Sequence, residues 1–392
     1  MRLALLTPGY GAADGTLGRH VQALATGAAR AGARVEVLLH GSAPAAPIAR
    51  HEGISIKRFP PLLPGSDSAF SGGLWRYLRD RIDDFDILHA HGEATLLALL
   101  ALRDAPLPLV LTPHWYAAPQ THLRRLVQGR VHRLDGRLLA RADRVLCVSH
   151  TEALQVRRNA PDAHVEIVPN GLDTHSIANA HPFAVPPRVI LSVDRLTPWA
   201  GIQRTVSALL ALAPSYRLVV VGRGRGRSQL EAHADYLGVA DRVRFLGGVD
   251  DAELHRWMRT ASVVATLKEE SLWGATLLSA LCAGTPVVAS DIAANREAAA
   301  VGAGEDVGFV SRRASPFAIA EAIRQLAGAG SRSRAELVPT WQDTAARAVS
   351  VYKDLAGRNG RASDDLVSDG LLGEDDLLRD LRLPSLLAAK AA

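Results

Sequence analysis

Three stretches of the chain carry residue types whose chemistry converges on a phosphate-bearing ligand. Gly9, Gly11, Gly15 and Gly18 crowd the segment between an apolar run and a helix-forming stretch at His20. Amides bare of side chains, together with the positive end of the following helix, can hold a phosphate, although many strand–helix turns carry glycines. Arg195 stands just past the apolar run 188–193. At a strand's carboxyl end its guanidinium can take a diphosphate bidentately, with a surface ion pair as the competing reading. The third stretch runs from Glu269, Glu270, Ser271, Leu272 and Trp273 to Gly284, Thr285 and Pro286. It reads as an acidic loop, a short helix and a turn into a buried strand. Gly274, Ala275 and Thr276 begin that helix and present first-turn amides to an anion.

These residues need a scaffold that brings strand ends together. Apolar runs at Arg2–Thr7 and Arg34–His40 predict strands flanking a helix over 20–31, with Gly32 suited to end it. Strands over 86–90, 108–112, 145–149 and 165–169 continue the series. The pattern restarts with 188–193, 216–222, 243–247, 262–266 and 286–290. Strands alternating with helices imply parallel sheets with right-handed crossovers, here two of them in an α/β chain. The proline-rich segment 181–187 reads as a linker. Domains are therefore expected over 1–185 and 186–340, followed by a helix over 341–356 and an acidic, leucine-rich tail over 361–392. Ligands of such doubly wound sheets lie at the carboxyl ends of their strands.

The 392 residues suffice for two ordinary domains, and 48% hydrophobic with 22% charged residues reads as a soluble globular protein. Cys147 and Cys282 stand in apolar surroundings without a spacing motif, which favours buried thiols over a disulfide or a zinc site. The start is too briefly apolar for a signal peptide, and the apolar stretch 96–111 is interrupted by Arg103, Asp104 and prolines. A cytoplasmic protein is expected. The net charge of +5 owes much to arginines between Arg124 and Arg144. They suit the solvated face of a helix, or a peripheral dock for anionic lipid or an acidic acceptor. No aromatic interleaving points to nucleic acid. The tail reads as a nascent helix in solvent, or as a segment that docks on a partner protein.

The chain resembles the GT-B fold glycosyltransferases of the retaining family 4 kind, the group that includes bacterial phosphatidylinositol mannosyltransferases. The resemblance covers roughly 1–356. It rests on Leu88-His89-Ala90-His91-Gly92, on Ile167-Val168-Pro169-Asn170-Gly171-Leu172-Asp173 and on Val219-Val220-Val221-Gly222-Arg223-Gly224. Arg242-Val243-Arg244-Phe245-Leu246-Gly247 and Ala283-Gly284-Thr285-Pro286-Val287-Val288 extend it. It implies two facing Rossmann-like domains, the second holding a nucleoside diphosphate sugar and the first an acceptor. No cofactor or metal is required, and the product keeps the donor's anomeric configuration. The acceptor would come from polysaccharide, glycolipid or natural-product assembly. Arg195 matches the family's phosphate-binding arginine, Gly15 the first of its paired glycines, and His114 a histidine placed beside the transferred sugar. Val249 and Asp251 fall where the base is read.

The departures are local. Thr16 replaces the second paired glycine, and Ala200 stands where the family has a lysine. Ser279 occupies the place of the second of two glutamates. A one-residue insertion at Leu272 aligns Glu270 with the first. Lys268 can replace the missing lysine or remain a solvated loop residue. A charged hydrogen bond contributes about 1.5–3 kcal/mol, so these losses bear on donor affinity. An active transferase with an altered donor site is expected. The alternative is a catalytically silent relative that regulates an active partner.

Overall fold

The protein's structure, a computed structural model, describes residues 1–40, 49–51, 53–60, 71–92, 107–114, 136, 138–185, 188–197, 200–302, 306–327 and 332–359. The acidic tail and most of the arginine-rich segment after Arg124 lie outside the described residues.

Strands β1 (Arg2–Thr7), β2 (Arg34–His40), β3 (Ala49–His51), β4 (Ile54–Phe59), β5 (Ile87–His91), β6 (Leu109–Thr112), β7 (Arg144–Cys147) and β8 (Val165–Ile167) form one sheet. Its order is β3-β4-β2-β1-β5-β6-β7-β8, parallel except where β3 pairs with β4. Strands β9 (Val189–Val193), β10 (Arg217–Val221), β11 (Val243–Gly247), β12 (Val263–Thr266), β13 (Val287–Ser290) and β14 (Val307–Val310) form a second, parallel sheet. Its order is β11-β10-β9-β12-β13-β14. Both are doubly wound, and the strand order reverses at β1/β5 and at β9/β12. The short strands β3, β4 and β14 have no counterpart among those predicted. Strand β3 is only three residues long, and β4 and β14 gain stability by pairing with β2 and β13.

Helices cover both faces, so the central strands β1 and β5 are buried almost throughout. In the first sheet Leu3, Leu5, Ile87 and Val110 face helices α1 (Gly15–Arg30) and Trp341–Asn359. Leu6, Leu88 and Leu111 face the opposite layer with α2 (Gly72–Arg81). The predicted helix over 20–31 starts at Gly15, because Leu17, Val21, Leu24, Ala25 and Ala28 continue one buried face back through the glycine-rich loop. Gly18 permits that start: a Cβ there would lie 2.2 Å from the Gly11 carbonyl oxygen.

From residue 149 onward the helices are α3 (His150–Asn159), α4 (Thr174–Ala178), α5 (Ile202–Ala208), α6 (Arg227–Tyr236), α7 (Asp251–Thr260), α8 (Ala275–Ala283), α9 (Ala293–Val301), α10 (Pro316–Leu326) and α11 (Trp341–Asn359). The change of domain comes earlier than residue 185. Ile177 of α4 is buried in the second domain's core with Trp257 and Leu281, and Phe183 lies over Trp257. The described part of the expected linker is therefore packed structure, anchored by its aromatic side chain. The chain crosses near Gly171 and returns near Thr340, where Leu172 and Thr340 form a parallel bridge. A Cβ on Gly171 would stand 2.2 Å from the Trp341 nitrogen, so the two crossing segments require glycine there. The returning α11 lies on α1 and buries Tyr352 in the first domain.

Both free cysteines are buried. Burial raises the Cys147 thiol, and lifts Cys282 to about 12. No helix among the described residues is long and apolar enough to cross a membrane.

Candidate active site

The carboxyl edges of the two sheets face each other, as two contacts between helices of the two domains show. Arg19, at the start of α1, forms an ion pair with Asp251, the first residue of α7. Glu297 of α9 accepts the N–H groups of His150 at 2.6 Å and Thr151 at 2.9 Å, and the Thr151 hydroxyl at 2.8 Å. A carboxylate from one domain thus sits on the positive end of a helix, α3, from the other.

On the second domain's side the predicted residues converge at the β9/β12 reversal. Arg195 is exposed, two residues past β9, and its N–H donates to the Asp194 carboxylate at 2.7 Å. Lys268, two residues past the neighbouring β12, places Nζ 2.9 Å from the same carboxylate. Lys268 is thus an ion-paired side chain, only 25% exposed, rather than a solvated loop residue. It emerges beside the site of the missing lysine. Ala200 is buried, and a Cβ on Gly201 would lie 1.9 Å from the Leu267 carbonyl oxygen. The backbones meet there, and Lys268 stands on the neighbouring loop.

Helix α8 completes this group. Gly274 precedes it at φ 72, with its amide on the Ser271 hydroxyl at 3.2 Å, and a Cβ would lie 2.7 Å from Ala298 Cβ. Thr276 Oγ1 lies 3.5 Å from the Val193 carbonyl oxygen, which ties the first turn of α8 to the end of β9. Ser279 follows one turn later on the same half-buried face, beside Thr276. Glu270 is exposed on the loop before α8. Arg223, not singled out from sequence, lies over Gly248: an ideal Cβ there would be 2.6 Å from Arg223 Nε. Val249 packs against the apolar core, and the Asp251 carboxylate holds Arg19.

The first domain's side is different. Ile87, His89 and His91 share one face of β5, the face covered by α1 and α11, because alternate residues of a strand point the same way. His91 pairs in register with Thr112 of β6, and His114 follows two residues later in a left-handed turn at φ 46. His20 descends from α1 onto the same place. All four histidines are buried. His91 Nδ1 lies 3.3 Å from His114 Nε2, and the His20 ring stands edge-on to the His114 ring at 5.0 Å. His89 bridges the Tyr352 hydroxyl at 2.7 Å and the Thr112 hydroxyl at 2.8 Å. His20 Nδ1 donates to Asn170 Oδ1 at 2.7 Å, beside the crossing at Gly171.

Burial holds these imidazoles neutral. Desolvation lowers His20 to about 4, against a smaller opposing contribution from Asn170. His89, His91 and His114 are pushed well below the usual histidine value, first by desolvation and then by neighbouring histidines, His20 among them. Of this cluster only His114 was singled out as a site residue. The spacing of His89 and His91 in a strand signalled that they share a face, but nothing local placed His20 beside them.

The glycine-rich loop is largely occupied by its own bonds. Gly11 N–H donates to the Gly18 carbonyl at 2.8 Å, Tyr10 N–H to Asp14 Oδ2 at 2.7 Å, and Gly9 N–H to Thr7 Oγ1 at 3.3 Å. In the first turn of α1 that follows, Gly15 at φ 69 and Thr16 are exposed, and nothing would touch a Cβ on Gly15.

Comparison with known proteins agrees with this architecture. The family model described as Glycosyltransferase Family 4 matches residues 17–176, and that described as Glycosyl transferases group 1 matches 173–337. A phosphatidyl-myo-inositol mannosyltransferase of Mycobacterium leprae is 32% identical over 70% of this chain and 74% of its own length. A D-inositol 3-phosphate glycosyltransferase of Xylanimonas cellulosilytica is 28% identical over 90% of this chain and 94% of its own. Among solved structures, sucrose-phosphate synthase from Thermosynechococcus elongatus aligns with a TM-score of 0.68 at 19% identity, over 92% of this chain and 98% of that one. Anabaena HepE, solved with UDP and glucose, aligns at 0.66 and 18% identity, over 93% and 100%. Two family models in tandem and a relative matched over most of its length lead to one conclusion: the chain is a glycosyltransferase of the GT-B fold and belongs to glycosyltransferase family 4, group 1.

Proposed function

We propose that the enzyme moves a sugar from a nucleoside diphosphate donor to an acceptor hydroxyl with retention of configuration. The observation that carries this reading is the grouping of Arg195, Lys268 and the first turn of α8 around the β9/β12 reversal. As the glycosidic bond breaks, the anomeric carbon gains positive character and the diphosphate gathers negative charge. Arg195, Lys268 and the amides of Ala275 and Thr276 oppose that charge without a metal at the donor site. Lys268 supplies the cation that Ala200 lacks, and its pairing with Asp194 holds it in place until phosphate competes for it. Glu270 and Ser279 are assigned to donor hydroxyls, and Val249 to the edge of the base. Neutral His114 accepts or donates a hydrogen bond at the sugar. Gly15 and Thr16, at the start of α1, border the incoming diphosphate from the other domain.

The names of the relatives point to an acceptor bearing inositol and phosphate, free or in a lipid, within glycolipid or polysaccharide assembly. A thermal-shift series with UDP, GDP, ADP and dTDP tests the donor site. A nucleotide at a hundred times its Kd adds about 2.7 kcal/mol of stability. One nucleotide should raise Tm in the native chain and clearly less in Arg195→Ala. No rise with any of them would remove the donor reading.

A further inference from the structure

We propose that His20, His91 and His114 form a binding site for a first-row transition-metal ion, with Zn²⁺ the best fit, in the first domain and apart from the diphosphate-binding group. The three side chains come from α1, from the end of β5 and from the turn after β6, and each offers one nitrogen within 4.8 Å of the other two. Three imidazoles with an open fourth position make a familiar coordination set for zinc.

Zn–N bonds of about 2.0–2.1 Å in a tetrahedron place ligand nitrogens about 3.3–3.4 Å apart. His91 Nδ1 and His114 Nε2 already stand 3.3 Å apart. A separation of up to 4.8 Å must close by roughly 1.5 Å, within reach of small side-chain torsions. The donors are also in the right state. Metal binding needs an unprotonated nitrogen, and burial keeps all three rings neutral.

One buried atom lacks the partner that an ion would provide. His20 Nε2 has no hydrogen-bond partner, although the residue is almost completely buried. A buried polar atom left unpaired costs about 1–3 kcal/mol, so the fold maintains an unfavourable arrangement that a ligand relieves. His20 is oriented for this by Asn170, which takes its Nδ1 proton at 2.7 Å and leaves Nε2 with its lone pair. A metal-ligating histidine ordinarily has such an outer partner. His89 is occupied by Tyr352 and Thr112 and stands behind the set as support.

The test uses the full chain, stripped of metal by a chelator and titrated with Co²⁺ in the absence of donor and acceptor. One equivalent should produce the visible d–d absorption of a four-coordinate ion, and one equivalent of Zn²⁺ should abolish it. His20→Gln and His91→Gln should each lose the spectrum while keeping native circular dichroism. Asn170→Ala retains all three ligands and should weaken binding about 10–100-fold. No absorption in excess Co²⁺ would overturn the site. So would a spectrum that survives in either histidine variant, which would place the ion among the other histidines of the 14 in the chain. X-ray absorption of the zinc-loaded native chain provides a reading that needs no variant, and fewer than three imidazole ligands would likewise reject the proposal. Because neither sugar nor nucleotide enters the titration, its failure leaves the transfer reading untouched.

Discussion

The two facing sheet edges differ in kind. The first domain's edge is buried and neutral, with imidazoles held by hydrogen bonds between rings, hydroxyls and one amide. The second domain's edge is charged and partly exposed, with Arg195, Lys268 and a helix start gathered around Asp194. A buried neutral edge distinguishes ligands by geometry and is disturbed by protons. A half-exposed cationic edge attracts phosphates and is weakened by salt. The difference suits a two-part substrate, with the charge at one end and the hydroxyls at the other.

Acid should break the comparison most forcefully. The folded chain keeps His20 and His40 neutral down to about pH 4, and burial pushes His89, His91 and His114 well below the ordinary histidine value, whereas the unfolded chain protonates histidine near 6.5. The unfolded state then binds more protons, so stability is full above 6.5 and falls as pH drops below it. Each such histidine contributes about 1.4 kcal/mol of loss per pH unit. Several together should unfold the first domain near pH 5. Hydrogen exchange, corrected for intrinsic rates, should accelerate in α1, β5 and β6 well before β9 and β12. Equal acceleration in both domains would contradict the assignment.

Next come the charged groups. Arg195→Ala and Lys268→Met should each lower nucleotide affinity about 10–100-fold, as expected for a charged hydrogen bond of 1.5–3 kcal/mol. Calorimetry at two salt concentrations checks this, and the loss should shrink at the higher one. An unchanged Kd in Lys268→Met would return Lys268 to a structural ion pair with Asp194. On the neutral edge, Tyr352→Phe removes the partner of His89 Nδ1 and should destabilise by about 1–3 kcal/mol in denaturant melts. The smallest effect belongs to the contact between the edges. Arg19→Ala should change stability by less than about 1 kcal/mol, since both members of its ion pair keep solvent contact at 30% and 46%. A larger loss would mean that the two edges are coupled more tightly than an exposed ion pair allows.

Much of the second domain's edge was legible in the sequence. Arg195 and the Gly274–Thr276 turn follow apolar runs long enough to be read as strands, and a doubly wound sheet delivers such positions to one edge. Lys268 was not legible in this way. Its choice between solvent and Asp194 depends on β9 and β12 being neighbours, although 74 residues separate the two groups' positions along the chain from 194 to 268. The Asp251 carboxylate, expected near the base, was likewise claimed by Arg19 from the other domain.

The sequence by itself determined the alternation of strands and helices, the two sheets, the family and the residues at the strand ends. Those depend on local periodicity and on motifs that lie within a few residues of one another. The early start of α1, the crossing at Gly171 and the gathering of His20, His91 and His114 were decided only by the tertiary structure. Each depends on groups far apart in the chain meeting in a space with little water, where an imidazole's charge state and partners are set by its neighbours rather than by its place in the sequence.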